Sequence, residues 1–326
     1  MCTALSLKSK RGTAFFGRNM DFSYELDPEV FIVPRGYSFQ NNYSNMVFET
    51  KYKFIGTGQD LGKVVFADGI NEKGIGVAAL YFQGYAEYDT EINDQKPTIG
   101  SIEVVGYLLG ECSSLDEVVR TINHVNIVGM EDSVTGTVAP LHWFVTDRSG
   151  NTVTIEKTTG GLRIFRNEVG VLANSPTFDW HMTNLRNYLN LSPYQSSTVS
   201  WGDITITPFG QGAGTIGLPG DYTSPSRFVK TVFQKSFVSP VDDQQTLINC
   251  FNVINGVSIP KGVVMTSRDT PDYTQYTVFM NVVSGDYYFK THDNPQIFRV
   301  NINDVNSNQI TSIGKLKREV EFKNVI

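Results

Sequence analysis

The sequence contains few of the residues that hold disulfides or metals. Only three of its 326 residues are cysteines, Cys2, Cys112 and Cys250, and only four are histidines. Three cysteines cannot all pair within one chain, and no Cys-x-x-Cys is present. No two histidines stand four residues apart, so the usual spacing of a zinc site is absent. We therefore expect free thiols in a reducing cytoplasm, with no metal and no cofactor.

Clustered positive charge and long apolar runs are also missing. The chain has 27 Lys and Arg against 33 Asp and Glu, a formal charge of −6 and an isoelectric point of about 5.3. Binding to nucleic-acid phosphates needs clustered Lys and Arg. No segment has the length of a membrane span or of a signal-peptide core. We therefore expect neither a nucleic acid nor a membrane as partner.

A large core is available, because 40 % of the residues are apolar. Short apolar runs such as CTALSLKS and TAFFGRNMDF, separated by KRG, predict strands joined in a hairpin. SSLDEVVRTINHV, with Ser114 as N-cap, and SRFVKTVFQKSF predict amphipathic helices. The order is strands, helices, strands, helices, strands. It favours one α+β domain over residues 1–326, with helices packed on antiparallel sheets.

One glycine pattern, Gly212, Gly214 and Gly217, matches the dinucleotide-binding spacing but lacks its context. That motif needs a strand before it and a helix after it. Pro208 precedes the pattern, and Pro219 follows it and would stop a helix. The segment is more typical of a structured loop.

Cys2 stands directly after the initiator methionine. If Met1 is removed, this residue carries both a thiol, with an ordinary pKa of about 8.5, and an α-amine of about 7.7–8.0. One residue then supplies a nucleophile and its base. The alternative is that position 2 has no special role. A Cys/His pair that uses Cys112 also stays open, although GECSSL is an ordinary place for a buried thiol.

Arg18 and Asp21 follow on the next predicted strand, which runs back towards the chain start. A nearby cation favours a thiolate, and a carboxylate can hold an amine. The alternative is a surface ion pair of little value. Asn174, in VLANSP, is a suitable donor to an oxyanion, although Asn before Ser-Pro also forms turns.

Seven segments together resemble the choloylglycine hydrolase family of the N-terminal nucleophile hydrolases, which contains penicillin V acylases and conjugated bile salt hydrolases. They are MCTA, FGRNMDF, DGINEKGIGVAAL, APLHW, LANSP, GLPGDYTSPSRF and YTQYTVF. They run through nearly the whole chain in order. The resemblance implies a four-layer αββα sandwich and a small-molecule amide as substrate. It also implies that residues 190–222 form an extended assembly loop of a homotetramer.

The resemblance also implies roles for individual residues. Cys2, exposed by removal of Met1, would attack a carboxamide and form a thioester, with its own α-amine as base. Asp21 would hold that amine, and Asn174 would donate to the oxyanion. Arg18 and Arg227 would lie beside the thiol and stabilise its thiolate.

Tyr81 bears on the substrate that the resemblance implies. It falls where the family places an oxyanion or pocket residue, and bile salt hydrolases commonly carry Asn there. A tyrosine ring offers a flat wall suited to a phenoxyacetyl group. Penicillin V is therefore the expected substrate, with conjugated bile salts or N-acyl homoserine lactones as alternatives. Met20, Phe22 and Tyr24 are expected to line the acyl pocket. A catalytically silent binding protein on this fold is the alternative outside enzymes.

Overall fold

The computed structural model describes residues 1–40, 47–92, 95–239 and 241–325. Strands make up most of its regular structure. In chain order they are β1 (Cys2–Lys8), β2 (Ala14–Phe22), β3 (Glu29–Val33), β4 (Ser38–Gln40), β5 (Val47–Glu49), β6 (Phe54–Asp60), β7 (Val64–Asn71), β8 (Gly76–Tyr81), β9 (Thr98–Gly100), β10 (Asn126–Val128), β11 (Leu141–Thr146), β12 (Thr152–Thr158), β13 (Gly161–Arg166), β14 (Val171–Leu172), β15 (Val199–Trp201), β16 (Ile204–Ile206), β17 (Tyr273–Asn281), β18 (Asp286–Thr291), β19 (Phe298–Asn301) and β20 (Thr311–Lys315).

The α-helices are short and few. Ser114 caps one of them as predicted, because its hydroxyl accepts from the amide of Glu117 at 3.2 Å. None of the helices in the described ranges is long and apolar enough to cross a membrane. The helices are α1 (Val104–Glu111), α2 (Leu115–Asn123), α3 (Phe178–Asn184), α4 (Ser224–Phe237) and α5 (Asp243–Asn255).

Two large antiparallel sheets organise the molecule. One has six strands in the order β14-β1-β2-β17-β18-β19, and the other has eight in the order β13-β12-β11-β8-β7-β6-β3-β20. Helices α4 and α5 pack on the six-stranded sheet through β1 and β2, while α1 packs on the eight-stranded sheet through β7 and β8. A shared apolar core joins the facing sides of the two sheets, with Phe16 of one against Phe144 of the other at 5.3 Å between ring centroids. The predicted αββα order of layers is confirmed.

The segment with the dinucleotide-like glycines is a loop, as expected. It forms a single 3₁₀ turn at Ala213–Thr215, and α4 begins only at Ser224. Just before it, β15 and β16 form a separate two-stranded hairpin. Large apolar side chains of this hairpin are exposed, among them Trp201 at 72 % and Ile204 at 67 %.

Candidate active site

Cys2 is the first residue of β1, which lies between β14 and β2 in the six-stranded sheet. It pairs with Met20 of β2, and Ala4 pairs with Arg18. Side chains alternate along a strand, so Cys2, Arg18 and Met20 share the face towards the other sheet. Asp21 lies on the opposite face of β2. The predicted hairpin therefore forms, but it places its two charged residues on opposite faces of the sheet.

The thiol of Cys2 is held by Arg18. The guanidinium Nη2 lies 2.5 Å from Sγ, and Nε donates to the backbone oxygen of Asn19 at 3.1 Å. Arg18 is fully buried and Cys2 is nearly so. Burial alone would lower the pKa of this guanidinium, but the surrounding groups, led by Cys2, raise it above its ordinary value. Arg18 is therefore a fixed positive charge at the sulfur.

Arg227 of α4 contacts the backbone of Cys2 and not its sulfur. Its Nη1 donates to the carbonyl oxygen of Cys2 at 2.6 Å and also to the Thr3 hydroxyl. Its Nη2 donates to Asn174 Oδ1 at 2.7 Å. The side chain is fully buried, which lowers its pKa, while the negative charge of Asp21 opposes that shift. The two arginines thus hold different atoms of Cys2.

Asn174 follows β14 and meets Cys2 at its nitrogen. Its Oδ1 accepts from the Cys2 backbone N–H at 2.6 Å, and its Nδ2 donates to the backbone oxygen of Tyr81 at 2.7 Å. The second hydrogen on Nδ2 remains for another acceptor. His181 fixes the residue from behind, because its Nε2 lies 2.8 Å from the Asn174 carbonyl oxygen.

Asp21 is fully buried beneath the same strand end. Its Oδ1 accepts from the Thr274 hydroxyl at 2.5 Å, and its Oδ2 lies 3.8 Å from Nη1 of Arg227. Burial raises the pKa of Asp21, while Arg227 and the N-terminal ammonium oppose that shift. Met1 covers this corner: its carbonyl accepts from the Asp21 N–H at 3.0 Å, and its ammonium lies 3.5 Å from Asp272.

A largely apolar cavity begins at the thiol. Cys2, Arg18, Met20 and Phe22 line it, together with Tyr81 and segments 57–67 and 132–141. The rings of Phe22 and Tyr81 lie 5.9 Å apart, edge to face. Burial raises the pKa of the Tyr81 hydroxyl. The expected placement of Met20 and Phe22 in the wall is therefore seen.

Tyr24 does not line the cavity, contrary to expectation. It packs behind Phe22 at 5.4 Å, under the guanidinium of Arg268, whose carbon lies 3.9 Å from the centre of the Tyr24 ring. Thr274, His181 and the segments 57–67 and 132–141 were not predicted either. They are distant in sequence, and no local pattern marks them.

The other chemical candidates lie apart from this site. Cys112 is buried and free, and burial raises the pKa of its thiol to about 11. Within the described ranges, no three His, Cys, Asp or Glu side chains converge as a metal site would require. The arrangement around Cys2 is thus a buried thiol, two cations, a carboxylate and an amide at the end of an apolar cavity.

Comparison with known proteins adds a family to this geometry. Residues 2–313 match the family model described as linear amide C–N hydrolases, choloylglycine hydrolase family. A bile salt hydrolase/transferase from Clostridium perfringens is 37 % identical over 308 residues, covering 94 % of each chain. A penicillin V acylase from Pectobacterium atrosepticum is 24 % identical, covering 89 % of this chain and 77 % of that protein.

A solved structure supports the similarity to the Clostridium perfringens protein. The crystal structure of a variant of conjugated bile acid hydrolase from Clostridium perfringens superposes with a TM-score of 0.94 at 35 % identity, over the full length of both chains. The predicted family resemblance is confirmed. Between its branches, the comparisons favour the bile salt alternative over the penicillin V expectation.

Proposed function

Because this chain belongs to the choloylglycine hydrolase family of linear amide C–N hydrolases, we propose that it cleaves conjugated bile salts into the bile acid and glycine or taurine. The observation that carries the proposal is the Cys2 sulfur, held 2.5 Å from Arg18 at the end of an apolar cavity. An apolar cavity can take up the steroid part of the substrate and leave its amide at the thiol.

Before any catalysis, removal of Met1 turns the Cys2 nitrogen from an amide into an α-amine. Asn174 Oδ1, now 2.6 Å from that nitrogen, orients the amine. The amine takes the proton of the thiol, and Sγ attacks the substrate carbonyl carbon. When the C–N bond breaks, the leaving amine takes that proton, and the acyl group stays on sulfur as a thioester. Water, deprotonated by the same amine, then attacks the thioester and releases the acid and the thiol.

The surrounding charges have separate tasks in this proposal. Arg18 stabilises the thiolate, and Arg227 fixes the backbone of Cys2. Asn174 Nδ2 donates its second hydrogen to the oxyanion, since its first is donated to the Tyr81 carbonyl. Asp21 acts through its charge, because the amine has Asn174 as its hydrogen-bond acceptor. The Tyr81 ring belongs to the wall of the acyl pocket.

The choice of bile salts as the proposed substrate rests on sequence similarity over the whole chain. Tyr81 alone favours penicillin V, whereas the identities of 37 % and 24 % favour the bile salt branch. Several distant segments line the cavity, so one residue decides less of its shape than the chain as a whole. A second activity, transfer of the acyl group to an amine, is suggested by the hydrolase/transferase name of the relative. It requires only that an amine replaces water as the attacker of the thioester.

Residues 190–222, the expected assembly loop, are the proposed contact between copies of the chain. Exposed apolar patches of this kind mark interaction sites on soluble proteins. With the family's assembly loop as precedent, we propose a homotetramer joined through this segment. Trp201, Ile204 and Phe209 are among its exposed apolar side chains.

The test is a substrate panel given to untagged protein. Glycocholate, taurocholate, penicillin V and an N-acyl homoserine lactone are supplied at equal concentration, and the released amine is quantified. We expect the two conjugates to turn over at least ten times faster than the others. The variant Cys2→Ala, which should fold normally, provides the background rate. Faster turnover of penicillin V would place the enzyme with the acylases, and full activity of Cys2→Ala would exclude this site.

A further inference from the structure

Arg18 lies between two acidic groups, and only one of them belongs to the site described above. On one side its Nη2 meets the sulfur of Cys2 at 2.5 Å. On the other, its Nη1 faces Oδ2 of Asp68 at 3.7 Å. Asp68 belongs to β7 of the eight-stranded sheet, so this ion pair crosses between the two sheets. Both side chains are fully buried.

Arg18 makes a hydrogen bond to the sulfur of Cys2 but none to Asp68. Arg18 Nη1 has no hydrogen-bond partner among the described residues. Asp68 is itself held in place, because its Oδ1 accepts from the hydroxyl of Tyr287, which lies 2.5 Å from the hydroxyl of Thr57. The carboxylate is therefore fixed, with one oxygen directed at a guanidinium nitrogen that is free to bind it.

Burial and charge together make this carboxylate responsive to Arg18. Burial raises the pKa of Asp68, and Arg18, followed by the Tyr287 hydroxyl, opposes the shift most strongly. Around Arg18, the groups that favour its charge are Cys2, Tyr276, Asp68 and Asp21. Asp68 is the one among them that faces Arg18 from the opposite sheet.

The proposed reaction removes the charge of one of these partners. While sulfur is a thiolate, Arg18 is paired with it. When Sγ bonds to the acyl carbon and the C–N bond breaks, sulfur becomes part of a neutral thioester. A buried cation that loses its anion is strongly unfavourable unless another anion replaces it. Arg18 needs such a replacement within reach and without a change of rotamer.

We propose that Asp68 is a positioning residue that serves as the second anion for Arg18, engaging the guanidinium when Cys2 is acylated and releasing it when the thiolate returns. This inference rests on the proposed thioester mechanism. No proton or electron moves between Asp68 and the substrate; the change is a shift of one ion pair from sulfur to carboxylate and back. Arg18 thereby keeps an anionic partner at both stages of the cycle.

The test uses alkylation of Cys2, which needs no substrate. Iodoacetamide labelling of the N-terminal peptide is followed by mass spectrometry from pH 5 to pH 9. In Asp68→Asn the competing anion is absent, so Arg18 is left to the thiolate alone. We expect the midpoint of the labelling profile to move to lower pH by about half a unit or more. The fraction of enzyme trapped as thioester during turnover should fall at least threefold.

The direction of the shift separates this role from a purely structural one. If Asp68 only orients Arg18, its loss weakens the contact with sulfur and moves the midpoint to higher pH. A rise, or an unchanged midpoint, would overturn the proposal, as would an unchanged thioester fraction. Absence of turnover with normal labelling would count against the proposed function instead.

Two further variants keep the result interpretable. Tyr287→Phe removes the hydroxyl that stabilises the Asp68 carboxylate, so it should move the midpoint in the same direction by a smaller amount, even if Asp68→Asn folds poorly. Asp116→Asn changes an exposed carboxylate in the first turn of α2, outside the cavity lining, and should leave the midpoint unchanged. A larger shift in Asp116→Asn than in Tyr287→Phe would contradict the assignment.

Discussion

Three different atoms of Cys2 are each held by a different side chain. Sγ meets Arg18, the nitrogen donates to Asn174, and the carbonyl oxygen accepts from Arg227. Such a division fixes the thiol and the future amine in one orientation before a substrate arrives. The two arginines, which the family resemblance treats alike, are therefore expected to differ when substituted. Loss of Arg18 acts on the sulfur, whereas loss of Arg227 displaces the backbone.

His181 supports Asn174, which contacts Cys2, and it makes the stability of the protein depend on pH. Burial lowers its pKa to about 4, from an ordinary value of 6.5. Between these two values the unfolded chain binds more protons than the folded one, so stability falls as the pH falls. From pH 7 to pH 5 this group alone should cost about 2 kcal/mol of unfolding free energy.

Urea unfolding at pH 5 and pH 7 measures this effect. The wild type should lose about 2 kcal/mol more than His181→Gln over that interval, because Gln does not titrate. Gln retains a donor for the Asn174 carbonyl, so it serves as the matched replacement. An equal pH dependence in both proteins would show that His181 is not the group responsible.

At the scale of elements, the pairing of β2 with β17 needs a residue without a side chain. Gly17 lies opposite Phe279, and a Cβ at Gly17 would stand 2.0 Å from the backbone oxygen of Val278 and 2.4 Å from the Phe279 ring. Gly17→Ala must therefore push the two strands apart. Overpacking of this kind costs about 1–3 kcal/mol, and β2 also carries Arg18.

Chemical denaturation compares Gly17→Ala with Gly160→Ala, whose new methyl group would meet only the Thr158 side chain, at an ordinary contact distance of 3.6 Å. We expect a loss of about 1–3 kcal/mol for the first variant and a change within about 0.5 kcal/mol for the second. Similar stabilities for the two variants would mean that the strands separate without cost.

The local elements were the part of this protein that its sequence predicts best. The turn KRG, the apolar alternation on both sides of it and the N-cap Ser114 are short-range signals, so β1, β2 and α2 could be inferred directly. The cavity could not, because residues of β1 and β2 line it together with segments 57–67 and 132–141, and these parts meet only when the two sheets pack. Tyr24 shows the same limit: its position two residues after Phe22 suggests the wall, yet Phe22 lines the cavity and Tyr24 packs against the Phe22 ring.

At the scale of the whole molecule, the exposed hairpin formed by β15 and β16 should determine the assembly. The double variant Trp201→Ser, Ile204→Ser removes two large exposed apolar side chains. Light scattering after size exclusion should show a tetramer for the wild type and smaller species for the variant. Phe322→Ser, which removes an even more exposed ring outside this segment, is the control and should keep the wild-type mass. A monomeric wild type would contradict the proposed assembly.

Substrate choice also belongs to this scale. A single residue, Tyr81, pointed to penicillin V, while comparison over 94 % of the chain points to bile salt hydrolases. The layered fold and the family followed from motifs spread along the chain, because each layer contributes its own strands or helices. The acyl pocket has no such motif, since its shape depends on packing between strands and segments of both sheets that are distant in sequence.

The most direct measurement is the mass of the N-terminal peptide from enzyme quenched during turnover of glycocholate. The account predicts a peptide that begins at Cys2, without Met1, and that carries the mass of the bile acyl group on its sulfur. The acyl group should vanish once the substrate is consumed. Turnover by a protein that retains Met1, or an acyl group found on any other residue, would contradict the claim that Cys2 is the nucleophile.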